Sequence, residues 1–219
     1  MEDIEQIRKN RAVLLLIAGI PVTMILTATW LWFFVVKGDL DLVGVLGTAN
    51  RGSLVQPPRQ LDELGLVEDT GVGFKYADLE PKWSMLVPVA GPGCNRDCEQ
   101  SLYVTRQIHI AMGKEFNRIR RMAMSDTPIN DIVLAVDALS DGRPLPRDFA
   151  ALLASDHRGM KGITVESGGF ARLFPEHEGD PSTWYLVDPG GWIMMTYNSE
   201  IPYKDVIADL KFLLKNSGG

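Results

Sequence analysis

Between Ala12 and Val36 the chain runs for 25 residues without a charged side chain. At about 1.5 Å of rise per residue, a helix of that length exceeds the roughly 30 Å hydrocarbon core of a bilayer. The sequence therefore predicts a transmembrane helix over 12–36. Thr23, Thr27 and Thr29 can return their hydroxyls to the helix backbone, and Gly19 and Pro21 are tolerated in spans. Trp30, Trp32, Phe33 and Phe34 gather at one end, as an interfacial aromatic belt does. A cleaved signal peptide is the competing expectation, but its apolar stretch is shorter and ends in small residues rather than in Trp and Phe.

Orientation follows from the flanking charges. Arg8, Lys9 and Arg11 precede the span and only Lys37 follows it closely, so segment 1–11 is expected in the cytoplasm. The rest is then placed outside a bacterial inner membrane, in the periplasm, where a close cysteine pair can oxidise. The remaining length suits one domain with its own core. A net charge of -6 gives no support for a nucleic-acid partner, which needs clustered excess Lys and Arg.

Residues 37–81 read as a connector with an opening strand or hairpin, including an extended piece at Leu42–Leu46. The domain proper is expected over 82–219. Trp83–Val89 (WSMLVPV) is a short apolar run ending in Ala90-Gly91-Pro92-Gly93, the composition of a turn from buried strand to helix. From Asn95 to about Met124 the chain lacks proline and repeats Leu102, Ile108, Met112, Phe116 and Ile119 at helical intervals, which predicts a long amphipathic helix with a possible break at Gly113. Asp131–Leu139 (DIVLAVDAL) reads as a second buried strand, Arg147–Ser155 as a helix, Gly162–Val165 as a strand and Gly169–Phe174 as a helical turn. Thr183–Val187 and Trp192–Tyr197 flank Asp188-Pro189-Gly190-Gly191 and predict a β-hairpin, and Tyr203–Leu214 a closing amphipathic helix. The fold class is α/β, a mixed sheet with helices on both faces.

The chemistry falls on the chain's two cysteines, Cys94 and Cys98. A cysteine at a helix start lies near free N–H groups and the positive end of the dipole, which stabilises a thiolate and marks Cys94 as the attacking sulfur. Four residues span about 6 Å of helix, so the pair shares one face within reach of a disulfide. It can cycle between dithiol and disulfide, or its two soft thiolates can hold copper or zinc. As a mere staple, so short a loop would remove little chain entropy.

The stretches WSMLVPVAGPGCNRDCEQSL, IVLAVDALSDG and TWYLVDPGGWIMMTY resemble the thioredoxin-like Sco/SenC proteins, copper-handling assembly factors for cytochrome c oxidase. The similarity runs from Trp83 to the C-terminus and implies a thioredoxin-like domain behind one membrane anchor. It implies copper as the cofactor, Cys94 and Cys98 as redox or metal-binding residues, and the oxidase subunit that carries a copper centre as the partner. The strand-ending Val136-Asp137 and the Tyr185–Gly190 segment match family landmarks. The family's prolines beside the cysteines are missing, and Asp180 stands where a histidine supplies the third copper ligand. His177, three residues upstream, is expected in a solvated loop, from which it either reaches the sulfurs as a metal ligand or stays at the surface. Pro181 lies where thioredoxin-like reductases place a cis proline facing the cysteines.

Other soft or titratable residues are expected to be structural. His109 lies about 16 Å along the helix from Cys98, too far to share its metal. His157 is expected at the surface, and Met122, Met124, Met194 and Met195 are expected as core filling. Three functions remain: exchange or copper delivery in oxidase assembly, a general periplasmic thiol-disulfide oxidoreductase, and a non-catalytic assembly partner of a membrane complex.

Overall fold

The computed structural model describes residues 2–37, 50–68, 70–166 and 168–216. It divides into two units, Met1–Ala49 and Asn50–Gly219. The extended piece expected at Leu42–Leu46 lies outside the described residues.

In the first unit, helix α1 covers Glu2–Lys37. Within it Val13–Phe33 has a mean hydropathy of 2.1, long and apolar enough to cross a membrane. The threonines behave as expected: Thr23 Oγ1 donates to the carbonyls of Gly19 at 3.0 Å and Ile20 at 2.9 Å, and Thr29 Oγ1 to that of Ile25 at 2.8 Å. Each hydroxyl is thereby satisfied inside its own helix, the condition for a polar group in hydrocarbon.

In the second unit, strands β1 (Ser53–Gln60), β2 (Leu66–Glu68), β3 (Gly73–Phe74), β4 (Trp83–Val89), β6 (Ile119–Ser125), β8 (Lys161–Val165), β9 (Trp184–Val187) and β10 (Trp192–Tyr197) form one mixed sheet. Its order is β1-β10-β9-β4-β6-β8-β2-β3. β4, β6 and β8 run parallel, β9 runs antiparallel to β4, and β10 and β1 extend that antiparallel side. Two short strands, β5 (Gly93–Cys94) and β7 (Val133–Leu134), pair separately in parallel. The helices are α2 (Arg96–Ala111), α3 (Phe149–Asp156), α4 (Gly169–Leu173), α5 (Pro175–Gly179) and α6 (Tyr203–Asn216).

Every residue of β4 is buried. Its period-2 alternation sends Met85, Val87 and Val89 into a core with Leu102 and Ile108 of α2 and Leu210 and Leu214 of α6. Leu86 points the other way, into a second core with Phe170, Phe174, Tyr76 and Tyr185. Met122, Met124 and Met195 are core residues, as expected, and Met194 packs against the core from a half-buried position.

Two expectations are corrected. The long helix ends at Ala111, and after Gly113, whose φ is +57°, the chain turns through a 3-10 segment into β6. Ile119–Ser125 (IRRMAMS) is rich in Met, Ala and Arg, all good helix formers, yet it becomes the parallel neighbour of β4 from Trp83↔Ile119 to Val89↔Ser125. Pairing on both sides overrides local propensity here. Asp131–Leu139 is correspondingly not a sheet strand: Ile129–Asp131 is a 3-10 turn, only Val133–Leu134 is extended and paired, and Val136-Asp137 belongs to the following loop.

The start of the domain is fixed by Asp209 of α6, which is 4% exposed. Its Oδ2 accepts from the backbone N–H groups of Arg51 (2.8 Å) and Gly52 (3.0 Å) and from the Tyr197 hydroxyl (3.1 Å). Removing this carboxylate strands three donors. Asp209→Ala is expected to lower the unfolding free energy by roughly 3 kcal/mol, the scale of lost charge-assisted bonds at a buried site; urea titration of the variant checks this, and a change under about 0.5 kcal/mol would contradict it.

Candidate functional site

The end of β4 delivers the chain to the site. Val89 leads to Gly91, whose φ of +68° suits a residue without a side chain and whose N–H donates to Asp126 Oδ1 at 2.8 Å. Cys94 follows in β5, where its carbonyl accepts from the N–H of Ala135 at 2.9 Å. Asn95 is the N-cap of α2, its Oδ1 accepting from the N–H of Cys98 at 3.0 Å. Cys94 thus lies ahead of the helix, and Cys98 lies in its first turn beside the N–H groups that favour a thiolate. The sequence singled out the cysteines but not Asn95, although an Asn just before a helical stretch is a recognised cap signal.

Cys94 and Cys98 form a disulfide, with sulfurs 2.03 Å and Cα atoms 5.3 Å apart. Their burial differs in kind. Cys94 has no exposed surface, whereas Cys98 is 5% exposed and borders a cavity of about 390 Å³. Phe170, Phe174, His177, Glu178 and Pro181 also line that cavity.

His177 is not in a solvated loop. It is a buried residue of α5, 7% exposed, and its backbone N–H donates to the Tyr185 hydroxyl at 3.2 Å. Nδ1 lies 3.2 Å from the Thr183 carbonyl, so Nδ1 carries the proton and Nε2 keeps the ring's lone pair. Burial lowers the His177 pKa and favours this neutral form. Tyr185 donates in turn to Glu176 Oε2 at 3.0 Å, and Glu176 is gripped through both oxygens by Arg59 at 3.0 and 2.7 Å. Strands β1 and β9 therefore hold α5 against the cavity. The loop expectation failed because Pro175 and two glutamates made the segment look solvated, while Phe170, Phe174 and Tyr185 supply the apolar packing.

Asp180 is fully engaged as a loop organiser: Oδ1 accepts from the Ser182 N–H at 2.9 Å and its hydroxyl at 2.7 Å, and Oδ2 from Asn198 at 2.9 Å. Pro181 reaches the same cavity as Cys98, but its peptide bond is trans; among the described residues the cis bond is Gln56–Pro57. With both thiols joined, no group of three or more His, Cys, Asp or Glu is set to hold a metal among the described residues. The disulfide-bonded state thus does not fit a copper ion.

The other histidines serve the scaffold. His109 stacks on Phe116 at a centroid distance of 3.8 Å. His157, expected at the surface, is 3% exposed and accepts at Nδ1 from Arg121 Nη1 at 2.9 Å. The correction has a simple cause: α3 folds Ser155–Gly159 back over the start of β6, so the polar neighbours stay outside and the imidazole goes in. Burial, reinforced by Arg121 and Arg106, pushes the His157 pKa down to about 3.

The fold of the second unit is matched by yeast Sco1, 15% identical over 78% of this chain and 99% of that structure with a TM-score of 0.53. Yeast Sco1 with copper bound matches at 15% identity over 78% of this chain and 97% of that structure, with a TM-score of 0.50. A SCO1/SenC family lipoprotein from Bacillus anthracis str. Ames is 18% identical over 73% and 99%, at a TM-score of 0.48. The yeast structures establish a Sco-like thioredoxin fold. No curated protein matches the chain in sequence.

His157 also makes stability depend on pH. It is neutral in the fold and protonates readily once unfolded, so its contribution is complete above about pH 6.5 and is lost as pH falls toward about 3. Urea unfolding between pH 7 and pH 4 is expected to show a steeper loss for the native chain than for His157→Gln, and parallel curves would contradict this.

Residues 83–141 and 136–217, together more than half of the sequence, match the family described as transmembrane-like, thioredoxin-like, C-terminal domain, and the chain belongs to that family.

Proposed function

We propose that this chain is a membrane-anchored thiol-disulfide exchange protein that acts outside the inner membrane in cytochrome c oxidase assembly, with the cysteines of the oxidase copper centre as its client. The observation that carries the exchange chemistry is the Cys94–Cys98 disulfide, in which Cys98 borders a cavity and Cys94 is fully buried. The oxidase link rests on the C-x-x-x-C and Y-L-x-D-P-x-G resemblance to Sco/SenC proteins and on the Sco-like fold. The apolar span Val13–Phe33 supports the anchor, and the charges ahead of it support an N-terminus in the cytoplasm.

The unequal burial supports roles opposite to those expected from position alone. In the reduced protein the Cys98 thiolate attacks a client disulfide, forming a Cys98–client bond and releasing one client thiolate. Cys94 then attacks Cys98 Sγ, the native disulfide closes, and the second client thiolate leaves. Two electrons pass to the client, and run in reverse the same steps recharge the protein from a donor dithiol. Asn95 caps α2, and the positive end of that helix, in whose first turn Cys98 lies, favours negative charge on Cys98. His177 forms the opposite wall as a neutral imidazole.

Single-cysteine variants test the order of attack. With an oxidised peptide carrying the client cysteine pair, Cys94→Ser is expected to accumulate a mixed disulfide through Cys98, and Cys98→Ser is expected to trap at least about tenfold less, since a thiol buried without access reacts poorly. Equal trapping by the two variants, or trapping by Cys98→Ser alone, would sink the assignment.

A further inference from the structure

The cavity that Cys98 borders is walled mainly by apolar side chains. Pro88 of β4 and Phe174 are buried parts of that wall, with Phe170 beside them at 8% exposure. Ala90, Ala171 and Pro181 continue it from exposed positions, so the apolar lining reaches the surface. The polar members have other attachments: Asn95 Oδ1 accepts from the Cys98 N–H at 3.0 Å, and His177 Nδ1 donates to the Thr183 carbonyl at 3.2 Å. Glu178 keeps its charge at an exposed position.

The aromatic part of the wall is held in place from behind. Phe170 meets Phe174 edge-on at a centroid distance of 5.1 Å and His177 at 6.1 Å, and Phe174 packs on Tyr185 at 5.0 Å. Tyr185 in turn bonds to Glu176, which Arg59 grips. A pocket formed in advance takes its occupant without the entropic cost of ordering its own walls. Its volume of about 390 Å³ is near the lower end of the roughly 300–1,000 Å³ of small-ligand sites, room for one large side chain.

We infer, on the basis of the exchange reading above, that this cavity is a specificity pocket: it seats a large apolar side chain that flanks the client's cysteine, between Phe170, Phe174 and Pro181. Cys98 lies on the same wall, so the seated side chain keeps the client disulfide within reach of its sulfur. The Cys98–client bond then forms as the client's own S–S bond breaks and its second thiolate leaves. A polar side chain in the same place would give up water without gaining a partner. The pocket thus selects which disulfide reacts, whereas the chemistry stays with the sulfurs.

The test uses the full chain carrying Cys94→Ser, reduced, in phosphatidylcholine nanodiscs, where no detergent competes for the pocket. Two oxidised peptides, identical except for Phe or Ser on both sides of the attacked cysteine, are offered separately, and mixed-disulfide formation is timed by mass spectrometry. Each rate is divided by that of the same peptide with glutathione, which has no pocket. The Phe peptide is expected to react at least about tenfold faster than the Ser peptide on this scale, the discrimination that burying one apolar side chain supplies. Adding Ala171→Trp, which fills the cavity from an exposed position, is expected to bring the two within about threefold while the Ser peptide keeps its rate. Equal normalised rates with the unfilled pocket would overturn the inference and leave the exchange reading standing, as would a Phe preference that Ala171→Trp leaves intact. Reaction with neither peptide would overturn both. Circular dichroism confirms that the filled variant is folded.

Discussion

Strand β4 is the constraint on which the rest of the domain depends. All seven of its residues are buried, and it is hydrogen-bonded on both sides, parallel to β6 and antiparallel to β9. A strand in that position has no edge to slip along, and a shift of one residue would exchange the two cores. Its register therefore fixes where the chain leaves the sheet. That exit is the Ala90–Gly93 turn, tied to Asp126 at the end of β6, and it places Cys94 in β5 and Cys98 in the first turn of α2. The same pairing brings β9 and its preceding loop across, so that His177 and Pro181 reach the cavity that Cys98 borders.

Helix α2 separates two chemically different ends of the domain. At its start Cys98 borders a cavity walled by Phe170, Phe174, His177, Glu178 and Pro181. At its end, about 16 Å away by helical rise, His109 stacks on Phe116 beside a cavity rich in guanidinium groups. Open α/β sheets carry ligands beyond the carboxyl ends of their strands, and the cysteine end obeys that rule. The other end lies at the amino ends of β4 and β6, where the segments leading from α2 and α3 back into the sheet gather.

Much of this was legible in the sequence because the relevant signals are local. Trp83–Val89 is almost wholly apolar, Asp188–Gly191 carries turn chemistry, Tyr203–Leu214 has a helical stripe, and a four-residue cysteine spacing at a strand-to-helix turn permits one disulfide. What was missed depends on tertiary partners. IRRMAMS favours helix in isolation and becomes a strand only between β4 and β8. DIVLAVDAL has the apolar content of a strand but finds only β5 to pair with. His157 and His177 sit among polar letters in the sequence, and only the folding back of α3 and α5 buries them. The unequal burial of Cys94 and Cys98 is likewise invisible in a motif that treats the two alike.

The most direct test of the account is a redox titration of the purified chain, quantifying free Cys94 and Cys98 by alkylation and mass spectrometry while circular dichroism follows the fold. The account predicts one reversible two-electron transition, with a tenfold change in the thiol-disulfide ratio per about 30 mV, and an unchanged fold in both states. Reduction that coincides with unfolding would mean that the disulfide is a structural staple and would contradict the account.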